Sequence, residues 1–290
     1  MELVRLLRPH QYIKNLLIFV PVLTANAFSE INIGNSIFFF FIFCITSSVG
    51  YIFNDLKDKD HDQQIEYKHS RPLASGTVST RDGTVLCICL FILVLGTSLL
   101  ISPDLIYIML GYLSLSFIYS SILKRLYLID VMALSSLYLY RIFAGGIVFG
   151  IEISFWLLVF SMFFFFSLSL VKRISELSYI NGGDESFLLG RAYSKSDFDM
   201  LSHLAISSSL ISVLVFFLYI DFASSIQQYE NYSPLIALNL IIFLWFLRIF
   251  SLAKSNMIGS DPIAFAIKDP LSICLLFVSI TLIFLSNLKL

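Results

Sequence analysis

Nine long apolar runs, joined by short polar links, leave this chain little choice of architecture. They cover roughly residues 13–29, 34–53, 82–101, 104–122, 127–149, 153–172, 200–220, 233–250 and 270–288. Crossing about 30 Å of hydrocarbon takes about twenty mostly apolar residues, and each run is of that order. Inside lipid every backbone N–H and C=O must find a partner within the protein, so an open sheet is excluded and each run is expected to be helical. The fold class expected is therefore all-α, a polytopic bundle of nine transmembrane helices. With 58% hydrophobic and only 13% charged residues over 290 positions, the composition agrees. No linker rich in Pro, Gly or Ser interrupts the pattern, so one integral membrane domain over residues 1–290 is expected. The opening M-E-L-V-R-L-L-R-P-H-Q lacks a short apolar core with a small-residue cleavage site and is not read as a removed signal peptide. Cys44, Cys87, Cys89 and Cys274 all lie within apolar runs without metal-type spacing, and are read as packing residues.

Basic residues set the orientation. The links at 30–33, 102–103, 150–152 and 221–232 contain no Lys or Arg. The N-terminal arm and the alternate links contain Arg5, Arg8, Lys57, Lys59, Lys68, Arg71, Arg81, Lys124, Arg125, Lys172, Arg173, Arg191, Lys195, Lys254 and Lys268. Positive charge stays on the cytoplasmic side. The expectation is a multi-pass protein of the plasma (inner) membrane whose N-terminus and long polar links face the cytoplasm. The net charge of −1 says little; from where the charges fall, the membrane is the expected partner and nucleic acid is not.

The most informative polar stretch runs from Asn54 to Gly76, N-D-L-K-D-K-D-H-D-Q-Q-I-E-Y-K-H-S-R-P-L-A-S-G, directly after the second apolar run. If that helix continues, Asp55, Asp58 and Asp62 fall at i, i+3 and i+7 on one face, and Asp60 points away. Three carboxylates on one face repel unless a cation lies between them. Hard oxygen ligands of this kind suit Mg²⁺, which keeps several waters and shares its shell with substrate phosphates. With Asn54 leading and Lys68 and Arg71 following, the stretch reads as a metal–diphosphate site. The competing reading is a solvated acidic loop.

Other polar groups gather at the same membrane side. R-P-H-Q-Y-I-K-N places Arg8, Gln11, Lys14 and Asn15 at the end of the first span, where Pro9 is tolerated in a first helical turn. I-Y-S-S-I-L-K-R-L-Y-L-I-D supplies Tyr119, Ser120, Lys124 and Asp130; Asp130 opens an apolar helix, where a dipole also favours a negative charge. Arg141 lies well inside a span, and an intramembrane charge marks a functional site or an internal ion pair. Gly145 and Gly146, one turn on, permit close helix approach. In L-V-K-R-I-S-E-L, Lys172 and Glu176 share a face at i, i+4, and Arg173 reaches Glu176 at i, i+3. These three read either as a helix-end ion pair or as phosphate recognition. Arg191 follows in L-L-G-R-A-Y; Arg248, Asp261 and Asp269 read as mainly structural.

Taken together these motifs resemble the UbiA-type intramembrane prenyltransferase superfamily, across essentially the whole chain. Asn54, Asp55, Asp58 and Asp62 match its N-D-x-x-D-x-x-x-D motif position by position. The second aspartate motif usual in that family is replaced here by K-R-I-S-E. R-P-x-Q-x-x-K-N, Y-S-x-x-L-K-x-x-x-x-x-D, R-x-x-A-G-G and K-R-x-x-E look like the polyprenyl-phosphate phosphoribosyltransferase branch, known best as decaprenyl-phosphate phosphoribosyltransferase. The resemblance implies a Mg²⁺-dependent transferase with phosphoribosyl diphosphate as donor and a membrane polyprenyl phosphate as acceptor. Asp55, Asp58 and Asp62 are then the metal ligands and catalytic carboxylates. Lys14, Asn54, Lys68, Arg71, Tyr119, Lys124, Asp130, Arg141, Lys172, Arg173, Glu176 and Arg191 are the substrate-binding groups. Two alternatives stand beside it: isoprenyl transfer from its diphosphate to an aromatic acceptor, and a transporter or scaffold with a metal-stabilised cytoplasmic face. Prenyl length and oligomeric state are not written in the sequence.

Overall fold

The computed structural model describes residues 2–27, 32–65, 68–179, 188, 190–226, 229–255, 257–259 and 261–287. Among them the chain is helical, in the order α1 (Glu2–Leu6), a 3-10 segment (Pro9–Phe19), α2 (Val20–Thr24), α3 (Ile33–Gln63), α4 (Thr80–Ile101), α5 (Pro103–Ser121), α6 (Ile129–Phe149), α7 (Phe155–Ser178), α8 (Phe198–Ser225), α9 (Ser233–Lys254), α10 (Pro262–Ala266) and α11 (Pro270–Ser286). The helix starts follow from local chemistry. Asn32, Ser79, Ser102, Ser154 and Asp269 each accept an amide hydrogen of the first turn of α3, α4, α5, α7 and α11, satisfying donors that the helix itself leaves orphaned. Pro103 and Pro270 follow two of these caps, where a missing N–H costs nothing.

Seven of the described helices are long and apolar enough to cross a membrane, α3 to α9, and α11 is a shorter apolar helix. The nine-span expectation changes most at its first member. Residues 13–29 do not form one membrane helix: Pro9–Phe19 is a 3-10 segment and Val20–Thr24 a single α-helical turn and a half, while residues 28 and 29 lie outside the described set, as do 288–290 and 227. Two features of the sequence cause this. Arg8 adopts a left-handed backbone (φ 55°, ψ 57°) before Pro9, and Pro21 has no amide to offer an i−4 carbonyl. The Val20 amide accordingly donates to Leu17 O, three residues back. Gln11, Lys14, Asn15 and Ile18 point inward, so the segment is held by polar anchors rather than by lipid.

The chain forms two compact units, Met1–Glu152 with Leu189–Ala192, and Ile153–Leu188 with Tyr193–Leu290. In the first, α3 packs against α4, α5 and the 3-10 segment, and α6 against α5 and the 3-10 segment. Two glycines set these approaches. A Cβ at Gly145 would lie 1.9 Å from Ile18 O, and one at Gly50 would lie 2.5 Å from Ser116 Oγ. Beneath the polar end, Leu6, Ile52, Leu73 and Val78 form an apolar cluster that ties the N-terminal arm and the 64–79 connection to α3. In the second unit α7 pairs with α8, and α9 lies against α8 and α11. Its core is aromatic: Phe164 stacks on Trp245 at 6.0 Å and meets Phe246 edge-on at 5.0 Å.

Candidate active site

The site is built on the last two and a half turns of α3, which runs unbroken from the apolar run through the aspartates to Gln63. Nothing between Asn54 and Gln63 breaks a helix, and the 3.6-residue period then decides which acids face inward. Asp55 and Asp62 are 2% exposed, Asp58 is half-buried beside them and Asp60 is on the exposed side. Asp55, Asp58 and Asp62 therefore share the face expected of them.

Each of these carboxylates meets a cation. Arg8 donates to Asp55 with two nitrogens, Nε at 3.2 Å and Nη2 closer still, and lies over the Tyr51 ring one turn earlier on α3. Arg71 Nη1 bridges Asp55 Oδ1 at 3.2 Å and Asp62 Oδ2 at 2.5 Å. Lys68 Nζ stands 3.9 Å from Asp62 Oδ1. Lys124, itself 2% exposed, donates to Asp58 and to Asn54 Oδ1, the latter at 3.4 Å. Burial opposes the charge on Arg71 most strongly, yet Asp55 and Asp62 outweigh it and hold the guanidinium more firmly protonated than usual. Four cations thus face three carboxylates in a largely desolvated patch. Among the described residues no three acidic, imidazole or thiol groups stand together in a metal-holding arrangement. The point where one cation touches two carboxylates is occupied by Arg71.

A second pair lies alongside. Arg191 approaches Asp130 at 3.6 Å, donates to the Lys124 carbonyl at 3.3 Å and covers the Tyr119 ring at 5.7 Å. Asp130 is fully buried at the start of α6, and Leu128 before it takes a left-handed backbone (φ 58°). The sequence grouping of Asn54, Lys68, Arg71, Tyr119, Lys124, Asp130 and Arg191 with the aspartates is therefore a spatial grouping as well.

Lys14 and Arg141 share a further cluster. Both sit over the Tyr138 ring at 5.7 Å. Arg141 donates to Asn15 Oδ1 at 2.9 Å, to Leu137 O and to Tyr112 Oη at 2.7 Å, and Ser47 donates to the same Asn15 oxygen at 3.1 Å. Ser47 precedes Asp55 by eight residues, about 12 Å along the axis of α3. Arg141 thus anchors the 3-10 segment, and it also reaches Tyr51, the ring beneath Arg8 one turn before Asp55. Lys172, Arg173 and Glu176 belong to the second unit. There Arg173, fully buried, pairs with Glu176, and Lys172 is half-buried on the neighbouring face. Arg248 holds Asp269 through two bonds of 2.6 and 2.8 Å, in keeping with a structural role.

One member was missing from the sequence-derived set. Arg8 stands 47 positions before Asp55, and nothing in the linear chain measures that reach. The available signal was the Arg-Pro pair, since a residue before proline is steered away from helical backbone and so ends α1.

Chemically, the arrangement is a charge-compensated cradle with exchangeable basic partners over hard oxygen donors, suited to anionic oxygen-rich groups. Comparison with known proteins supplies the family. The sequence profile of the UbiA prenyltransferase family matches residues 15–177, a stretch that contains the aspartate helix, Lys124, Asp130 and the Lys172–Glu176 segment. The chain is 30% identical over 279 residues to nodulation protein NoeC of Azorhizobium caulinodans, covering 96% of this chain and 91% of that one. It is 31% identical over 268 residues to the protein y4nM of Sinorhizobium fredii, covering 92% of this chain but 52% of that one. Decaprenyl-phosphate phosphoribosyltransferase of Corynebacterium glutamicum is 30% identical over 180 residues, 60% of this chain and 54% of the relative. The chain thus spans about half the length of two of these relatives. In fold, a UbiA homologue from Archaeoglobus fulgidus solved with GPP and Mg²⁺ superposes with a TM-score of 0.73 at 17% identity, covering 98% of this chain and 100% of that one. An all-helical membrane chain with the N-D-x-x-D-x-x-x-D helix, matched over more than half its length by that profile, belongs to the UbiA prenyltransferase family.

Proposed function

We propose that this transferase moves a 5-phosphoribosyl group from phosphoribosyl diphosphate to a membrane polyprenyl phosphate, in the presence of Mg²⁺. The observation that carries the reading is the excess of cations on the aspartate face: Arg8, Lys68, Arg71 and Lys124 against Asp55, Asp58 and Asp62. An isoprenyl diphosphate has one anionic end, whereas phosphoribosyl diphosphate has two, and it needs correspondingly more basic partners. The alignment with decaprenyl-phosphate phosphoribosyltransferase supports the same donor and acceptor classes. Lys172 and Arg173, standing where a second aspartate motif is usual, are assigned to phosphate recognition, with Glu176 orienting Arg173.

Two of the three carboxylates would hold the metal, with phosphate oxygens and water completing its shell. Asp55 Oδ1 and Asp62 Oδ2 already share one cationic partner, Arg71 Nη1, so a hard divalent cation would find two carboxylates within one reach, with Asp58 beside them. Mg²⁺ held by Asp55 and Asp62 would supply charge neutralisation for the departing diphosphate. The protein's own side chains do the rest. Arg8, Arg71, Lys68 and Lys124 exchange carboxylate oxygens for phosphate oxygens and hold the donor. A phosphate oxygen of the lipid forms a bond to ribose C1 as the C1–O bond to diphosphate breaks, and the diphosphate keeps the electron pair. The acceptor oxygen is already an anion, so no general base is required, and rate enhancement comes from positioning and electrostatics.

The test uses purified protein with Mg²⁺, labelled phosphoribosyl diphosphate and polyprenyl phosphates of several lengths, read by lipid mass. A lipid gaining one phosphoribosyl group is expected. Consumption of isoprenyl diphosphate with an aromatic acceptor, and none of phosphoribosyl diphosphate, overturns the reading. The cytoplasmic placement of the site is checked by labelling single cysteines at Lys59 and Glu152 in a cysteine-free background; both reacting from one side overturns it.

A further inference from the structure

Buried or half-buried serine hydroxyls on the helices of this protein commonly return to their own backbone. Ser48 donates to Cys44 O at 3.0 Å, Ser178 to Ile174 O at 2.8 Å and Ser202 to Phe198 O at 2.7 Å. Ser120 does not. It is 2% exposed on α5, and its Oγ has no hydrogen-bond partner among the described residues. A buried hydroxyl left unsatisfied is costly, so its persistence asks for a partner that arrives later.

The surroundings of Ser120 say what that partner is. Helices α3 and α5 run in the same direction, because successive contacts advance together along both. Gly50 meets Ser116, Phe53 meets Phe117 with ring centroids 4.5 Å apart, and Lys124 meets Asn54 and Asp58. Ser120 follows Ser116 by one turn on the same face of α5, as Asn54 follows Gly50 on α3. Its hydroxyl is therefore bracketed by contacts on either side of Asn54, at the edge of the cation-rich cradle. Four other buried polar atoms share its unpaired state: Ser98 on α4, and Ser169, Ser175 and Asn239 in the second unit. In the first unit the other such atom, Ser98, lies on α4, near the end of that helix opposite Thr80 and Lys59.

We infer that Ser120 Oγ and the Asn54 side chain form a recognition point for a hydroxyl of the donor's sugar, and so select a sugar diphosphate over an isoprenyl one. The inference rests on the phosphoribosyl reading above. Phosphate oxygens only accept hydrogen bonds, and the four cations already serve them. A hydroxyl and a carboxamide both donate and accept, which is what a sugar hydroxyl offers in return. An allylic chain in the same place would seal the Ser120 hydroxyl away without a partner, and a site built to bond a substrate hydroxyl rejects the analogue lacking it.

The test is calorimetry on the full-length protein in detergent with Mg²⁺, using phosphoribosyl diphosphate and inorganic diphosphate as probes, on wild type and Ser120→Ala. The variant is expected to bind phosphoribosyl diphosphate roughly 10- to 100-fold more weakly and inorganic diphosphate as wild type does. Its ligand-free thermal midpoint is expected to hold or rise, since an unsatisfied group has been removed. An equal loss for both probes, no loss for either, or a fall in the ligand-free midpoint overturns the inference while leaving the transfer reading standing. A wild-type protein that binds isoprenyl diphosphate and not phosphoribosyl diphosphate overturns the transfer reading, and this inference with it.

Discussion

Arg71 Nη1 lies 2.5 Å from Asp62 Oδ2. That contact brings the 68–79 segment over the end of α3 and puts a guanidinium where two carboxylates converge, its Nη1 being 3.2 Å from Asp55 as well. The aspartate helix thereby presents a charge-compensated face. Removing one partner would leave a buried charge exposed to its like neighbours.

Substitution along α3 should follow the helical phase. Asp55→Asn and Asp58→Asn are expected to abolish turnover while the protein still inserts in the membrane, because hard oxygen ligands are lost and cationic partners are released. Asp60→Asn, on the exposed side, should retain most activity. Activity assays beside membrane-fraction blots check this, and equal loss at Asp58 and Asp60 would contradict the face assignment.

Lys172→Ala should separate donor from acceptor. Loss of a charge-assisted phosphate contact in a partly desolvated site costs about 2–4 kcal/mol, or some 30- to 1000-fold. Phosphoribosyl diphosphate binding is expected to fall by that order and polyprenyl phosphate binding much less. Tight binding of isoprenyl diphosphate, with phosphoribosyl diphosphate binding untouched by Lys172→Ala, would favour isoprenyl transfer instead.

Gly145→Ala tests the closeness of α6 to the 3-10 segment. The added Cβ would stand 1.9 Å from the Ile18 carbonyl oxygen, and backbone cannot rotate out of the way as a side chain can. A loss of about 1–3 kcal/mol is expected, seen as a lower thermal midpoint in detergent. Gly96→Ala on α4, where a Cβ meets nothing within 4 Å, should be neutral or stabilising by up to about 1 kcal/mol. Similar midpoints for the two variants would refute the close approach.

The Arg248–Asp269 pair gives a pH signature. Hydrogen bonding from Arg248 is the main reason the Asp269 carboxyl is held down at about 2, against an ordinary value of 3.8. A carboxyl depressed on folding stabilises the protein above its unfolded value and loses that contribution as pH falls through the folded one. The thermal-midpoint difference between wild type and Asp269→Asn should therefore be constant above about pH 4 and shrink toward pH 2. A difference that grows on acidification would reverse the assignment.

Local rules acting on the sequence set the helical class and the face that carries the chemistry. Lipid forbids unpaired backbone, so apolar runs of membrane length had to be helices, and an unbroken helix through N-D-L-K-D-K-D-H-D had to put Asp55, Asp58 and Asp62 together with Asp60 outside. Both rules act over a few residues and need no partner. Tertiary structure alone decided what those carboxylates meet. Arg8 reaches Asp55 across 47 positions and Lys124 reaches Asp58 across 66, distances along the chain that no periodicity encodes. It also decided that Arg141 meets Asn15 and Tyr112, which come from other elements. The first apolar run departs from a regular α-helix for a related reason. Its hydrophobicity matched a span, but Arg8 in a left-handed backbone, Pro21 without an amide and the polar anchors at Asn15 favoured a 3-10 segment, and the value of those anchors depends on α3 and α6 being in place.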